Sequence, residues 1–228
     1  MMDAAETAEL RDALIEAALP HVPFDGWTMS ALRHGAAEAG LDAAKAAPAF
    51  PGGGRDMVAH FGALSDRRML EALERMDLPS MGVTARVRTA VRVRLEQAEP
   101  HREAIRRTLA FLALPQNALL GATLLHRAAD AIWYAAGDTA TDWNWYSKRG
   151  LLAGVLAATV LFWLNDKSEG HAETWDFLDR RLADVARFGK ATGKLKERLK
   201  GGPRTYRPYR RGRRSRDTSE PPPSHRPA

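Results

Sequence analysis

The feature that most constrains this chain is the period of its apolar residues. Up to residue 190 almost every segment repeats Ala and Leu at helical spacing among Arg and Glu, and no stretch alternates Val, Ile or Thr with polar residues. The expected class is all-α. Breakers divide the pattern: a first helix is expected from Glu6 to Leu19, with Leu10, Leu14 and Ala17 on one face, ending at Pro20 and Pro23. Asp25-Gly26-Trp27-Thr28 can cap a second from Met29 to Ala39, which Gly40 ends, and a small third from Asp42 stops near Phe50-Pro51. Further helices are expected from Arg55 to Met76, Gly82 to Ala98, Pro100 to Ala113, Gln116 to Ala136, Asn144 to Asn165 and His171 to Phe188.

A chain of 228 residues, 45% hydrophobic and 27% charged, can bury one sizeable core or two modest ones. It contains no cysteine, so disulfides, thiolate nucleophiles and Cys-based zinc sites are excluded. The start, MMDAAETAELRDA, has neither a basic n-region nor an apolar h-region, and no signal peptide is expected. The net charge of +6 is unevenly placed: residues 191–228 hold 12 Lys/Arg against 3 Asp/Glu, leaving the body slightly acidic. From Gly201 the chain is Gly, Pro, Arg and Ser with almost nothing apolar, so residues 191–228 are expected to be a largely disordered basic tail.

Catalytic chemistry finds little footing. The seven His are scattered singly, and neither a Glu-x-x-His pair nor His-Glu-x-x-His nor Gly-x-Ser-x-Gly occurs. Glu169, His171 and Glu173 do not share one helical face and fit helix capping better than metal binding. Asp56 and His60 stand at i,i+4, as in an ordinary surface hydrogen bond. The glycines of PGGGRD, Pro51 to Asp56, lack the Lys-Ser/Thr of a phosphate loop and fit a turn. No catalytic residue and no metal ligand is assigned.

The most apolar run, Gly150 to Leu164, would span only about 22 Å as a helix, short of the roughly 30 Å of a bilayer core. It fits a buried helix or the wall of an apolar cavity, with Leu119, Leu120, Leu124, Ile132 and Trp133 as a matching surface. Just before it, TDWNWYSKRG crowds two Trp and a Tyr beside charged residues, which suits either the anchors of an interface or a cap on the core. Residues 181–200 mix Leu182, Val185, Phe188, Leu195 and Leu199 with many Lys and Arg. With the tail they fit an interfacial helix and polybasic anchor, a solvated tail, or, through Tyr206 and Tyr209, a contact with nucleic acid.

Two regions carry a family likeness. LIEAALPHVPFDGWTMSALRHGAAEAGLDAAKAAPAF with its continuation to Leu73, and GDTATDWNWYSKRGLLAGVLAATVLFWLNDKSEGHAETWDFLDRRLADV, resemble the Coq-nine family, lipid-binding accessory proteins of ubiquinone biosynthesis. The order GD, TD, NWY, KR, then TW and FL with RR carries the likeness over residues 10–190, and Ala140 departs from the usual Ser. The resemblance implies a tetracycline-repressor-like fold: a helix-turn-helix-like region over 1–54 and a larger helical, lipid-binding and dimerising domain over 55–190. It also implies a bound isoprenoid quinone or phospholipid lined by Leu120, Leu124, Ile132, Trp133, Leu151, Val155 and Phe162, with no other cofactor. Asp142, Trp145 and Tyr146 match the segment that docks the di-iron demethoxyubiquinone hydroxylase. Leu195, Leu199, Arg210, Arg211, Arg213 and Arg214 are the expected membrane contacts, at about 1 kcal/mol per basic residue beside an anionic leaflet. The reading is thus a non-enzymatic, homodimeric protein on the inner, cytoplasmic face of a membrane. The alternative is a ligand-responsive repressor. Against it, the would-be recognition helix LDAAKAAPAF offers Lys45 but no Arg, Asn or Gln, so no nucleic acid is expected as partner.

Overall fold

In the computed structural model residues 4–137 and 143–200 are described, with side chains at 5–137 and 148–187. Residues 1–188 form one compact unit and residues 189–228 a second. All regular elements among the described residues are helical: α1 (Ala4–Ala18), α2 (Val22–Asp25), α3 (Met29–Glu38), α4 (Ala46–Ala49), α5 (Gly54–Glu74), α6 (Val83–Ala98), α7 (Arg102–Leu112), α8 (Ala118–Ala135), α9 (Trp143–Trp163) and α10 (Ala172–Lys200). The all-α expectation holds, and among the described residues no single helix is long and apolar enough to cross a membrane.

The N-terminal core forms where α1 crosses α3. Leu14, Ile15, Ala18 and Leu19 face Ala31, Leu32 and Ala36, all buried. Gly35 makes the crossing possible: a Cβ there would lie 2.1 Å from the Ala17 carbonyl oxygen, so the two backbones touch. Thr28 caps α3 by accepting a hydrogen bond from the Ala31 N–H at 3.2 Å, and Gly40, at φ 70°, turns the chain out of it. The expected third helix is reduced: Asp42 caps a 3-10 turn over Ala43–Lys45, and α4 adds only four residues before Phe50. Trp27 is 5% exposed and donates its indole N–H to Thr108 of α7 at 2.9 Å. The glycines after Pro51 make a turn: Gly53 has φ 60°, and a Cβ on Gly54 would lie 2.4 Å from the Trp27 carbonyl oxygen.

Helix α5 runs through both cores, burying Met57, Val58 and Leu64 in the first and Met69 and Leu73 in the second. Asp56 and His60 do not bond to each other. Asp56 pairs with Arg11 at 2.6 Å and His60 with Asp12 at 2.7 Å, and Arg67–Asp12 and Arg68–Glu16 continue the ladder between α1 and α5. Burial is the main influence on His60 and lowers its pKa below the ordinary histidine value, although Asp12 pulls the other way.

The C-terminal core packs Val87, Ala90 and Val91 of α6, Ala128, Ala129 and Ile132 of α8, and Leu152, Leu156 and Trp163 of α9 against Trp175 and Leu178 of α10. The last carbonyls of α9 are satisfied by arginines of α7. Arg102 donates to Trp163 O and Asp166 O, and Arg106 donates to Leu164 O at 2.8 Å. Buried Asp166 then opens the path into α10, accepting from Ser168 N (2.8 Å), Ser168 Oγ (2.6 Å), Thr174 N (2.9 Å) and Thr174 Oγ1 (2.6 Å). Burial alone would raise this carboxyl, but the hydrogen bonds outweigh it and hold its pKa far below the ordinary range. His171 pairs with Glu99 at 2.9 Å instead of capping alone, and Glu99 also accepts from the Trp163 indole at 3.1 Å. Helix α10 does not stop at Phe188 as expected but runs to Lys200, ten residues into the segment expected to be a disordered tail.

Candidate functional site

An apolar cavity of about 690 Å3 lies among α5, α6, α7, α8 and α9. Its wall draws on both cores, with Val58 and Leu64 from the first and Leu95, Ala128, Leu156 and Trp163 from the second. Phe61, Ile105, Leu109, Leu125 and Val160 fill the span between them. Small residues help leave the space, since Gly62, Ala72, Ala98 and Ala157 are among the lining. The polar lining residues Arg68, Glu71, Arg75 and Gln97 are exposed, and so mark a solvent edge.

The electrostatics of that edge are set by neighbours. Arg94 is held by Asp66, whose carboxyl burial pushes above its ordinary value even with the Arg94 guanidinium against it. Burial, helped by the Arg68 charge, lowers the pKa of His101, so near neutral pH the cavity meets an uncharged imidazole able to donate and accept hydrogen bonds. Both hydroxyls of the described lining are committed to helix carbonyls, Ser65 to Phe61 O and Thr108 to Ala104 O, each at 2.8 Å. An apolar volume of this size with a few polar groups at one edge is suited to hold an apolar chain with a polar head, and neither hydroxyl is poised as a nucleophile.

The seven residues expected to line a lipid site are not brought together. Leu124 lines the large cavity, while Leu120 packs against the N-terminal core. Trp133 and Val155 line a separate space of about 120 Å3 with Leu182 and Val185. Ile132 is fully buried in the C-terminal core, Leu151 is exposed, and Phe162 stacks on Phe177 with ring centroids 4.7 Å apart. The walls from α5 and α7, Phe61, Ile105 and Leu109 above all, are not among the expected residues, because helical periodicity does not say which distant helix faces the α9 run.

Trp145 and Tyr146 fall in the first turn of α9, but their side chains lie outside the described set, and Asp142 lies outside the described residues. The turn after them is firmly placed: Arg149, 4% exposed, reaches Asp130 at 2.5 Å, and the Trp133 indole donates to Lys148 O at 3.2 Å. Leu195 and Leu199 are on the helical backbone of α10 with side chains outside the described set, and Arg210, Arg211, Arg213 and Arg214 lie outside the described residues.

Residues 118–189, covering α8, α9 and most of α10, match the COQ9 family. The chain is 35% identical over 195 residues to "Ubiquinone biosynthesis protein COQ9, mitochondrial" of Rattus norvegicus, and 34% identical over 195 residues to the protein of that name from Homo sapiens. Over most of its length the chain is thus similar to COQ9 proteins. These alignments cover 82% of the chain but 62% and 61% of the two COQ9 proteins, so it spans about three fifths of their length. The COQ9 match begins at α8, so much of the cavity wall, on α5, α6 and α7, stands before it and is covered only by the longer alignments. For the fold there is a solved neighbour, the crystal structure of a TetR transcriptional regulator from Nitrosomonas europaea. It has a TM-score of 0.63 and 18% identity, and the match covers 78% of this chain and 98% of that one. The tetracycline-repressor-like fold expected from the sequence is therefore present.

Proposed function

We propose that this protein is a non-catalytic, lipid-binding member of the ubiquinone biosynthesis machinery, holding an isoprenoid quinone intermediate or a phospholipid in the cavity between α5 and α9. The cavity carries the proposal: about 690 Å3 of apolar space with Arg68, Gln97 and the neutral His101 at its edge suits an isoprenoid tail and a quinone oxygen. The names of the COQ9 relatives supply the pathway, and their designation as mitochondrial supports work at a ubiquinone-producing membrane.

The finer expectations belong to the same reading. The chain acts as a homodimer at the membrane surface, held by the segment from Leu195 through Arg214, and presents its ligand to a di-iron demethoxyubiquinone hydroxylase docked on Asp142, Trp145 and Tyr146. The repressor alternative has less support, because the α4 segment is four residues long and Lys45, just before it, has no base-reading companion in that segment.

Organic extraction of purified protein, followed by mass spectrometry, tests the ligand. The wild type should release an isoprenoid quinone or phospholipid, and Ala157→Trp, which fills the cavity from α9, should release far less at an unchanged melting temperature. Clean wild-type protein that shifts duplex DNA with a defined footprint would favour the repressor. Pull-down of the hydroxylase tests the docking segment. Tyr146→Ala and Trp145→Ala should each weaken capture by about thirtyfold or more, the effect of losing an anchor worth at least about 2 kcal/mol, with melting unchanged. Loss of fold without a selective loss of capture would return both aromatics to the core.

A further inference from the structure

The histidines that stand singly along the sequence do not all stay apart in the fold. His21 at the start of α2 and His34 on α3 come to ring centroids 6.0 Å apart, and each faces a carboxylate. His34 Nδ1 is 3.2 Å from Asp25 Oδ2, and His21 Nε2 is 3.2 Å from Glu38 Oε2. One ligand-type atom from each of His21, Asp25 and His34 lies within 4.8 Å of the other two. The spacing is regular: His21 and Asp25 are four apart on one element, and His34 and Glu38 are four apart on the next, so each element offers an imidazole and a carboxylate on one face.

We propose that His21, Asp25 and His34, with Glu38 as the fourth donor, form a binding site for a divalent transition metal of the zinc type that clamps α2 to α3. Two imidazole nitrogens and two carboxylate oxygens are a donor set that Zn2+ accepts in tetrahedral geometry, with bonds of about 2.0–2.2 Å and donors a little over 3 Å apart. The His34–Asp25 and His21–Glu38 distances, both 3.2 Å, are already in that range. Imidazole donors select against Mg2+ and Ca2+, which take oxygen ligands. His21 is the most sheltered of the four, with its side chain 19% exposed, and the more exposed His34, Asp25 and Glu38 give the ion an entry path. The consequence is local. Helix α2 is a single turn, Val22–Asp25, and the ion ties it to the ten-residue α3 that crosses α1.

The test is titration of untagged full-length protein with ZnCl2 by calorimetry, with zinc-edge X-ray absorption on the loaded sample. The expected result is one ion per chain, two imidazoles in the absorption spectrum, and a melting temperature that rises with zinc but not with MgCl2. His34→Ala, at a side chain 62% exposed and therefore safe for folding, should weaken zinc binding at least tenfold, as should Asp25→Asn. His126→Ala, on α8 and away from the site, should not. Zinc affinity unchanged in His34→Ala, or a spectrum with fewer than two imidazoles, overturns the proposal.

Discussion

The N-terminal core and the cavity region both depend on glycine, and they use it in opposite ways. At the α1–α3 crossing Gly35 removes a Cβ that would lie 2.1 Å from backbone, whereas at the cavity Gly62 removes one that would lie 3.0 Å from the tip of the Leu124 side chain. Backbone of a packed helix cannot step aside, but a leucine end beside empty volume can change rotamer. The first region is thus built to hold one arrangement, and the second to give. Bulky Phe50, Met57, Leu14 and Ile15 are fully enclosed at the first, while at the second Gly62, Ala72, Ala98 and Ala157 stand among the larger lining side chains.

The sharpest way to break this contrast is Gly35→Ala. A methyl group driven into Ala17 O must separate α1 from α3, so the cost should reach or exceed about 3 kcal/mol, the upper end of ordinary overpacking. Urea denaturation measures it. A loss under about 1 kcal/mol would mean that the crossing is loose and the comparison empty.

Asp166→Ala comes next, because it tests how the link from α9, a wall of the cavity, into α10 is held. Removing a buried carboxylate that accepts four hydrogen bonds from Ser168 and Thr174 should cost about 2 kcal/mol, the upper range for an N-cap. The folded pKa is depressed. Its contribution is therefore complete above the unfolded value of about 4 and is lost as pH falls through that value toward the folded one. Melting curves of wild type and variant should converge over that acid range. Parallel curves would show that Asp166 does not carry the pH dependence.

How much of this was legible in the sequence follows the range of the interactions. Thr28 as a cap, Gly40 as a terminator and the turn at PGGGRD are local signals, and the structure places them where the spacing put them. The repressor-like order of elements follows from such signals in series. The cavity was much less legible, because its wall joins residues as far apart as Val58 and Trp163, and periodicity marks a face as apolar without naming its partner. Phe162 and Ile132 were apolar in the right helices yet serve stacking and core, while Leu120 and Leu124, one turn apart, both pack against the N-terminal core and of the two Leu124 alone lines the cavity. Helix α10 differs in another way: it passes the expected end at Phe188 and runs on to Lys200 through Gly189 and Gly193, each costing about 1 kcal/mol in a helix.

The smallest effect on stability should come from Gly62→Ala, and it carries the most information about the cavity. The added methyl meets the Leu124 side chain first, with Cδ2 at 3.0 Å, and the flexible end of that leucine can swing into the free volume, so the strain should be relieved at under about 1 kcal/mol. Replacing glycine by alanine inside α5 also favours the helix by roughly the same amount, and the net change in melting should be close to zero. The volume is not returned. Leu124 turned inward occupies space where an apolar chain would lie, so copurified lipid should fall while the fold stays intact. Gly35→Ala at the other end should behave in reverse, losing stability while whatever protein remains folded keeps its lipid. If Gly62→Ala unfolds the protein as readily as Gly35→Ala, the cavity wall is as rigid as the crossing. If it melts normally and carries a full load of lipid, the ligand does not reach Leu124 and must sit nearer the exposed edge at Arg68 and Gln97.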